Sequence, residues 1–293
     1  MEHYLWMMDE PTASMSPYLG YLVDHMAADA GIKVLLNGQG SDEYLSCYGE
    51  LKRLRRLQAL DSLNIKGIAK EYSIGLNEAL KMAMRALGRK TYQTVFGYKR
   101  YKQKFASPVA ARPWLKYIDF ELLQKNSDEL MEEDQFSKSS YQSISAYQLF
   151  NSPLSMYLRW SDRNSMASSI EARVPFLDHR LVEFCHGLPL EYIDDEARTK
   201  KVLLSSMKGI VPDAILNRTD KMGYVAPEER WQKEEFVAEF KELLSQSIIH
   251  SKGIIKPSVM EYYQQIIDNR TPFNFSIWRF IVFGFWMKRF NIA

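Results

Sequence analysis

The sequence predicts an α/β fold that is mostly helical, in which a fragment of parallel sheet near the amino-terminal end carries a large helical layer. Three observations lead there. A short apolar run, Lys33-Val34-Leu35-Leu36, closes in a glycine turn that opens a helix. Most of the remaining chain allows apolar periodicity of the helical kind, and convincing strands are few. The composition, 46% hydrophobic and 25% charged over 293 residues, is ordinary for a globular protein and is enough for one large domain or two small ones.

The elements follow in order. Leu5-Trp6-Met7-Met8 reads as a strand broken by Pro11, and residues 17–30 as a helix stopped by Gly31. Val34–Leu36 suits a buried parallel strand, because strands covered on both faces are apolar without alternation. Residues 1–50 thus read as strand, helix, strand and helix start, and 51–293 as mainly helical. Helical periodicity is allowed over 51–60, 76–87, 143–151, 154–165, 181–188, 200–207, 234–246 and 259–268, with Pro153 as a break. No internal repeat or low-complexity segment occurs.

Several function classes lose support. A net charge of +2 gives no reason to expect a nucleic-acid partner. The basic stretch 81–104, with interleaved Tyr and Phe, reads as a solvated helical face. The apolar segment 273–290 contains Arg279 and closes on Lys288 and Arg289, which fits a buried helix and not a membrane span. Cys47 and Cys185 cannot make a disulfide scaffold, and residues 1–30 do not resemble a secretory signal, so a reducing cytoplasm is expected. The five histidines lack metal-ligand spacing.

Three segments could carry chemistry. The first is Asn37-Gly38-Gln39-Gly40 followed by Ser41-Asp42-Glu43. A strand that ends in a glycine loop and feeds a helix presents backbone N–H groups to a phosphate or adenylate. Gly38 and Gly40 permit close approach, and Asp42 or Glu43 could meet a magnesium ion carried by phosphates. The plainer alternative is that Ser41 or Asp42 caps the helix and the glycines only turn the chain. The second is RWSDRNSMASSIEARVPFLD (159–178), dense in Asp162, Arg163, Asn164, Ser165, Glu171 and Arg173. It suits a surface helix, or a buried polar face whose charges pair around an amino-acid substrate. The third is NRTDKMGYVAP (217–227), a loop that presents Lys221 beside Gly223. A mobile lysine there could reach a developing phosphate charge, or simply be exposed.

Taken in this order, the three segments resemble the synthetase domain of the glutamine-hydrolysing asparagine synthetase family. Asp9-Glu10-Pro11 matches the family's Asp-Glu-Pro, and VLLNGQGSDEYLSCY (34–48) its strand and S-G-x-G-(A/S)-D-E-x-x-x-G-Y loop. DRNSMASSIEARVPFLDHRLVEF (162–184) matches a long family signature. Arg198-Thr199-Lys200, Lys221-Met222-Gly223-Tyr224 with Pro227, and the closing SIWRFIVFGFWMKRF (276–290) follow.

The resemblance implies a partial parallel sheet of the PP-loop ATP pyrophosphatase kind. It also implies ATP-dependent amide formation: aspartate is adenylated on its side chain, pyrophosphate leaves, and ammonia attacks the acyl-adenylate. ATP and magnesium are the implied cofactors. Asn37 and Gly38, with Gly40, would contact AMP. Asp42 would bind magnesium–pyrophosphate, and Lys221 would stabilise charge at the α-phosphoryl group. Residues 162–173 would shape the substrate pocket.

Gln39 stands where many members have Glu, a position tied to formation of the intermediate. Gln cannot act as a base, so another carboxylate, such as a sugar acid, is the alternative substrate. Cys47 replaces a family glycine and Asn37 a common serine. The family's S-G-G-x-D-S phosphate loop and its glutaminase domain with a terminal cysteine nucleophile do not occur in this sequence. The chain alone is therefore expected to show neither glutaminase nor full synthetase activity, and to need those parts in cis or from a separate chain. A non-catalytic partner subunit is the remaining alternative. Exposed sheet edges would also favour self-association.

Overall fold

The computed structural model describes residues 2–45, 50–105, 113–119, 140–150, 154–194, 199–218, 220 and 223–292. The chain opens with α1 (Glu2–Met8) and α2 (Ser16–Asp29), followed by β1 (Val34–Leu36) and the single turn α3 (Ser41–Tyr44). A helical group follows: α4 (Glu50–Asp61), α5 (Ile65–Tyr72) and the long α6 (Leu76–Phe105). Then come α7 (Tyr141–Phe150), α8 (Leu154–Ala167) and β2 (Glu171–Arg173). Short helices α9 (His179–Gly187), α10 (Leu190–Ile193), α11 (Lys201–Ser206) and α12 (Asp213–Leu216) lead to α13 (Glu228–Arg230), which runs into a π-helical turn, Trp231–Glu235. The chain closes with α14 (Val237–His250), α15 (Val259–Ile267) and α16 (Ser276–Arg289).

The expected mixture of few strands and many helices is present, but the first fifty residues differ from the sequence reading. Leu5–Met8 lies in a helix. Tyr4, Leu5 and Met8 are buried together while Trp6 is 51% exposed. The apolar run therefore follows helical spacing, and packing against α16 overrides its strand-like composition. β1 is a strand as expected, and it pairs in parallel with β2, Val34 opposite Glu171 and Leu36 opposite Arg173. It is not buried, however. Val34 is 39% and Leu36 76% exposed, so one face of the two-stranded sheet is uncovered where a parallel sheet is normally packed on both faces. Helix α5 was not anticipated. Its signal is local: Asn64 caps it by accepting from the Gly67 N–H at 3.0 Å.

The main core joins the two ends of the chain. Tyr4, Leu5 and Met8 of α1 meet Phe240 and Leu244 of α14, Tyr263 and Ile266 of α15, and Ile277, Ile281 and Phe285 of α16. At the α14–α16 crossing, a Cβ on Gly284 would lie 2.1 Å from Ser247 Oγ and 2.7 Å from Ser247 Cα. Only glycine lets the two backbones approach so closely. Ser247 is fully buried there and donates to the carbonyl of Phe280. Segment 276–289 is thus a core helix, and no helix among the described residues is long and apolar enough to cross a membrane. A second core forms around Tyr44, Leu45, Leu54, Tyr141, Ile144, Cys185 and Ile193, and a small third one joins α4, α5 and α6.

Candidate functional site

The loop between β1 and α3 lies at the carboxyl end of a parallel strand, where open α/β sheets commonly place ligands. Its backbone is fixed from several sides. The Asn37 N–H donates to the Arg173 carbonyl at 2.7 Å and so extends the parallel ladder. Asn37 Oδ1 accepts from the Gln39 N–H at 3.1 Å, folding the loop on itself. Asn37 Nδ2 donates to Ser161 Oγ of α8 at 3.2 Å. Gly40 takes φ 97°, and a Cβ there would fall 2.2 Å from the Leu177 side chain. The glycine is therefore required by both conformation and space.

The capping alternative for this loop is not what the structure shows. Gly40 is the N-cap, and no side chain caps α3. Ser41 Oγ donates to the Gly38 carbonyl at 3.3 Å instead. Asp42 and Glu43 separate sharply. Glu43 is buried, with its carbonyl accepting from Ser145 Oγ at 2.9 Å. Asp42 is partly exposed and meets Lys200 Nζ at 2.6 Å. Among the described residues, no group of three His, Cys, Asp or Glu side chains could hold a metal ion. A single accessible carboxylate fits a magnesium ion that arrives on phosphates, since Mg²⁺ commonly takes one or two carboxylates plus phosphate oxygens.

The polar segment 159–173 is divided among several tasks. Arg159 meets Glu10 at 2.6 Å, and Trp160 Nε1 donates to the same carboxylate at 2.8 Å. Arg163 pairs with Asp9, which adopts φ 60°. The Asp-Glu pair before Pro11 thus clamps α8 to the chain's first turn. Asn164 is buried and donates to the Pro17 carbonyl at 2.8 Å, while its Oδ1 has no hydrogen-bond partner among the described residues. Ser165 is buried and donates to the Asp162 carbonyl at 3.1 Å, and Asp162 is exposed. Glu171 and Arg173 are exposed on β2 and pair with each other at 2.8 Å. The Arg173 guanidinium holds the Glu171 carboxyl below its usual range.

The structure therefore brings Asn37 beside α8, and joins β1 to β2. It does not gather Arg163, Glu171 and Arg173 into one charged ring. Lys221 lies outside the described residues, as does Cys47. Sequence reasoning assigned no role to Ser161, Lys200 or Leu177. Ser161 and Leu177 have no chemical signature of their own. Lys200 sits in the Arg-Thr-Lys triplet, with nothing local to show that it reaches Asp42.

The asparagine synthase family matches residues 1–288. The chain belongs to the asparagine synthase family. It is 25% identical to asparagine synthetase [glutamine-hydrolyzing] 1 of Bacillus subtilis, over 96% of this chain and 44% of the relative. It is 24% identical to amidase chyE of Penicillium rubens, over 99% of this chain and 47% of the relative. A stretch of 57 residues is 49% identical to asparagine synthetase [glutamine-hydrolyzing] 3 of B. subtilis, covering 20% of this chain and 9% of that one. The chain thus spans about half the length of the long-matching relatives. No solved structure matches it at a significant level.

Proposed function

We propose that this asparagine synthase family chain is the carboxylate-activating part of an ATP-dependent amide ligase, a single unit built on a sheet fragment of the PP-loop pyrophosphatase type. The observation that carries the reading is the Asn37–Asp42 loop. It sits at the carboxyl end of β1, held by Ser161 and Leu177, with Asp42 accessible at its front.

In this reading the backbone around Asn37, Gly38 and Gly40 receives the adenylate, and Asp42 takes the magnesium that accompanies pyrophosphate. The substrate carboxylate attacks the α-phosphorus of ATP, the bond to the β-phosphate oxygen breaks, and pyrophosphate departs. Ammonia then attacks the acyl carbon and expels AMP. Charge builds on phosphate oxygens in the first step, so cations fixed nearby lower its barrier. Lys221 is the cation assigned to the α-phosphoryl group, and Gln39 neighbours the acyl-adenylate. Asp162, Arg163, Asn164, Ser165, Glu171 and Arg173 line or support the substrate side, with Arg163 and Asn164 acting through the α8 framework. Aspartate is the substrate favoured by the family, and ammonia from glutamine is supplied by polypeptide beyond this chain.

The test is calorimetric titration of the purified chain with Mg-ATP beside Asp42→Ala. Binding that disappears in the variant supports the reading, and a folded chain that binds no nucleotide overturns it for this polypeptide. A second reading keeps the chemistry and changes the carboxylate. Gln39 in place of the common Glu supports it, as does the likeness to a relative named an amidase. A panel of carboxylates, assayed for AMP release with hydroxylamine as the trapping amine once the complementing glutaminase and phosphate-loop part is added, separates aspartate from the alternatives. A panel with no turnover at all would leave the non-catalytic partner role.

A further inference from the structure

Helix α3 is a single turn of four residues, too short to hold its own orientation. The last carbonyls of a helix have no partners within it. In α3 they are met from behind by helix α7. Tyr141 Oη donates to the Tyr44 carbonyl at 2.8 Å, and Ser145 Oγ donates to the Glu43 carbonyl at 2.9 Å. The two hydroxyls stand four positions apart and so share one face of α7. Tyr141 is 5% and Ser145 1% exposed, which places both behind the loop and away from solvent.

Ser145 is itself oriented by a third group. Its hydroxyl has one proton, and that proton is directed at Glu43. Toward His186 Nε2 of α9, at 3.0 Å, Ser145 Oγ is therefore the acceptor, and Nε2 carries a proton. Burial holds the His186 imidazole below its usual range, so the ring is neutral near pH 7. On the other side, Tyr44 Oη donates to the Phe176 carbonyl at 2.9 Å, one residue before the Leu177 side chain that abuts Gly40. The turn is thus gripped at both ends, and Asp42, partly exposed, sits between the grips.

We propose that Tyr141 and Ser145 are positioning residues of the candidate nucleotide site, setting α3 from behind so that the Asp42 carboxylate meets magnesium at a fixed place. The inference rests on the nucleotide reading of the Asn37–Asp42 loop. Two bonds to consecutive carbonyls fix both the tilt and the rotation of a one-turn helix, whereas a single bond leaves a hinge. Mg²⁺ demands near-ideal octahedral geometry, while Ca²⁺ accepts displaced oxygens. A shift of Asp42 therefore weakens a magnesium nucleotide more than a calcium nucleotide. Hydroxyls that only stabilised the fold would change both alike.

Tyr141→Phe is the decisive variant, because it removes the donor and keeps the buried ring. The full chain is titrated calorimetrically with Mg-ATP and with Ca-ATP, beside Ser145→Ala, Ser145→Thr and Asp42→Ala. Mg-ATP affinity should fall about fivefold in Tyr141→Phe and in Ser145→Ala, the share of one hydrogen bond, while Ca-ATP affinity changes by less than about twofold. Ser145→Thr keeps the hydroxyl and should restore the wild-type ratio of the two affinities. Thermal scans check that each variant is folded, and if Ser145→Ala is not, Tyr141→Phe decides alone. Equal losses for the two nucleotides in Tyr141→Phe, or no loss for either, with binding still lost in Asp42→Ala, overturn the positioning role and leave the nucleotide loop standing. A folded wild type that binds no Mg-ATP, or binding indifferent to Asp42→Ala, overturns both.

Discussion

Asn37 and Ser161 are joined by a hydrogen bond of 3.2 Å from Nδ2 to Oγ, across 124 positions of sequence. This single contact fastens the glycine loop to helix α8. A neutral hydrogen bond of this kind contributes about 1 kcal/mol net. Ser161→Ala should therefore weaken Mg-ATP binding by about fivefold, with a melting temperature close to wild type. Calorimetry beside a thermal scan checks this. Unchanged affinity would mean the loop is held sufficiently by its ladder bond to Arg173 and its internal turn.

Gly40 is under two constraints, a positive φ and the Leu177 side chain at the place a Cβ would occupy. Gly40→Ala should cost roughly 2 to 4 kcal/mol, combining backbone strain with overpacking. Making room with Leu177→Ala in the same chain should recover only the steric share. Chemical denaturation of the single and double variants measures both portions, and full recovery would show that the backbone angle is not strained.

Glu228 gives a pH signature. It is 1% exposed, accepts from the Met15 N–H, and burial pushes its carboxyl up to about 7. Its other oxygen has no hydrogen-bond partner among the described residues. Between about 4.5 and 7 the folded chain holds a proton at Glu228 that the unfolded chain releases, so this group makes stability fall as pH rises through that window. Above it the penalty is of order 3 kcal/mol. Glu228→Gln keeps an acceptor for Met15 without the charge. It should flatten the profile and stabilise the chain at pH 8 by about 1 to 3 kcal/mol, with little effect at pH 5. Urea titrations at both pH values decide, and an equal shift at each would point to packing instead of charge.

Leu36 is 76% exposed on a two-stranded sheet. An apolar strand left open favours pairing with a second copy of itself. The purified chain should scatter light increasingly with concentration, and Leu36→Asp should shift it toward monomer. A clean monomer at all concentrations in the unaltered chain would show that the strand is protected in some other way.

The helices were legible where the signal was local. Gly31 follows α2 with its N–H bonded to the Ala28 carbonyl, and the apolar spacing of 276–289 announced the closing core helix. The Asn37–Asp42 loop was legible too, because strand, glycines and carboxylates follow one another along the chain. What could not be read depended on distant partners. Leu5 is apolar in helix and strand alike, and only its packing against α16 decides between them. β2 spans three residues, Glu171–Arg173, of polar character, and it exists because Val34–Leu36 offers it a parallel ladder. The pairing of Arg163 with Asp9 could not be read either, because the two lie far apart in sequence. Lys200 was hidden for the same reason.

The meeting of α1 with α16 sets a clock on the protein's birth. Trp278 donates to Thr12 and Arg279 to the Ala13 carbonyl, each across 266 positions. At ribosomal rates of about 5–20 residues per second, the first of these segments waits roughly 10 to 50 s for the second. Through that interval Leu5 and Met8 lack the α16 share of their core. Closing of the main core thus waits for α16, and a premature stop before that helix yields a chain whose α1 lacks this partner.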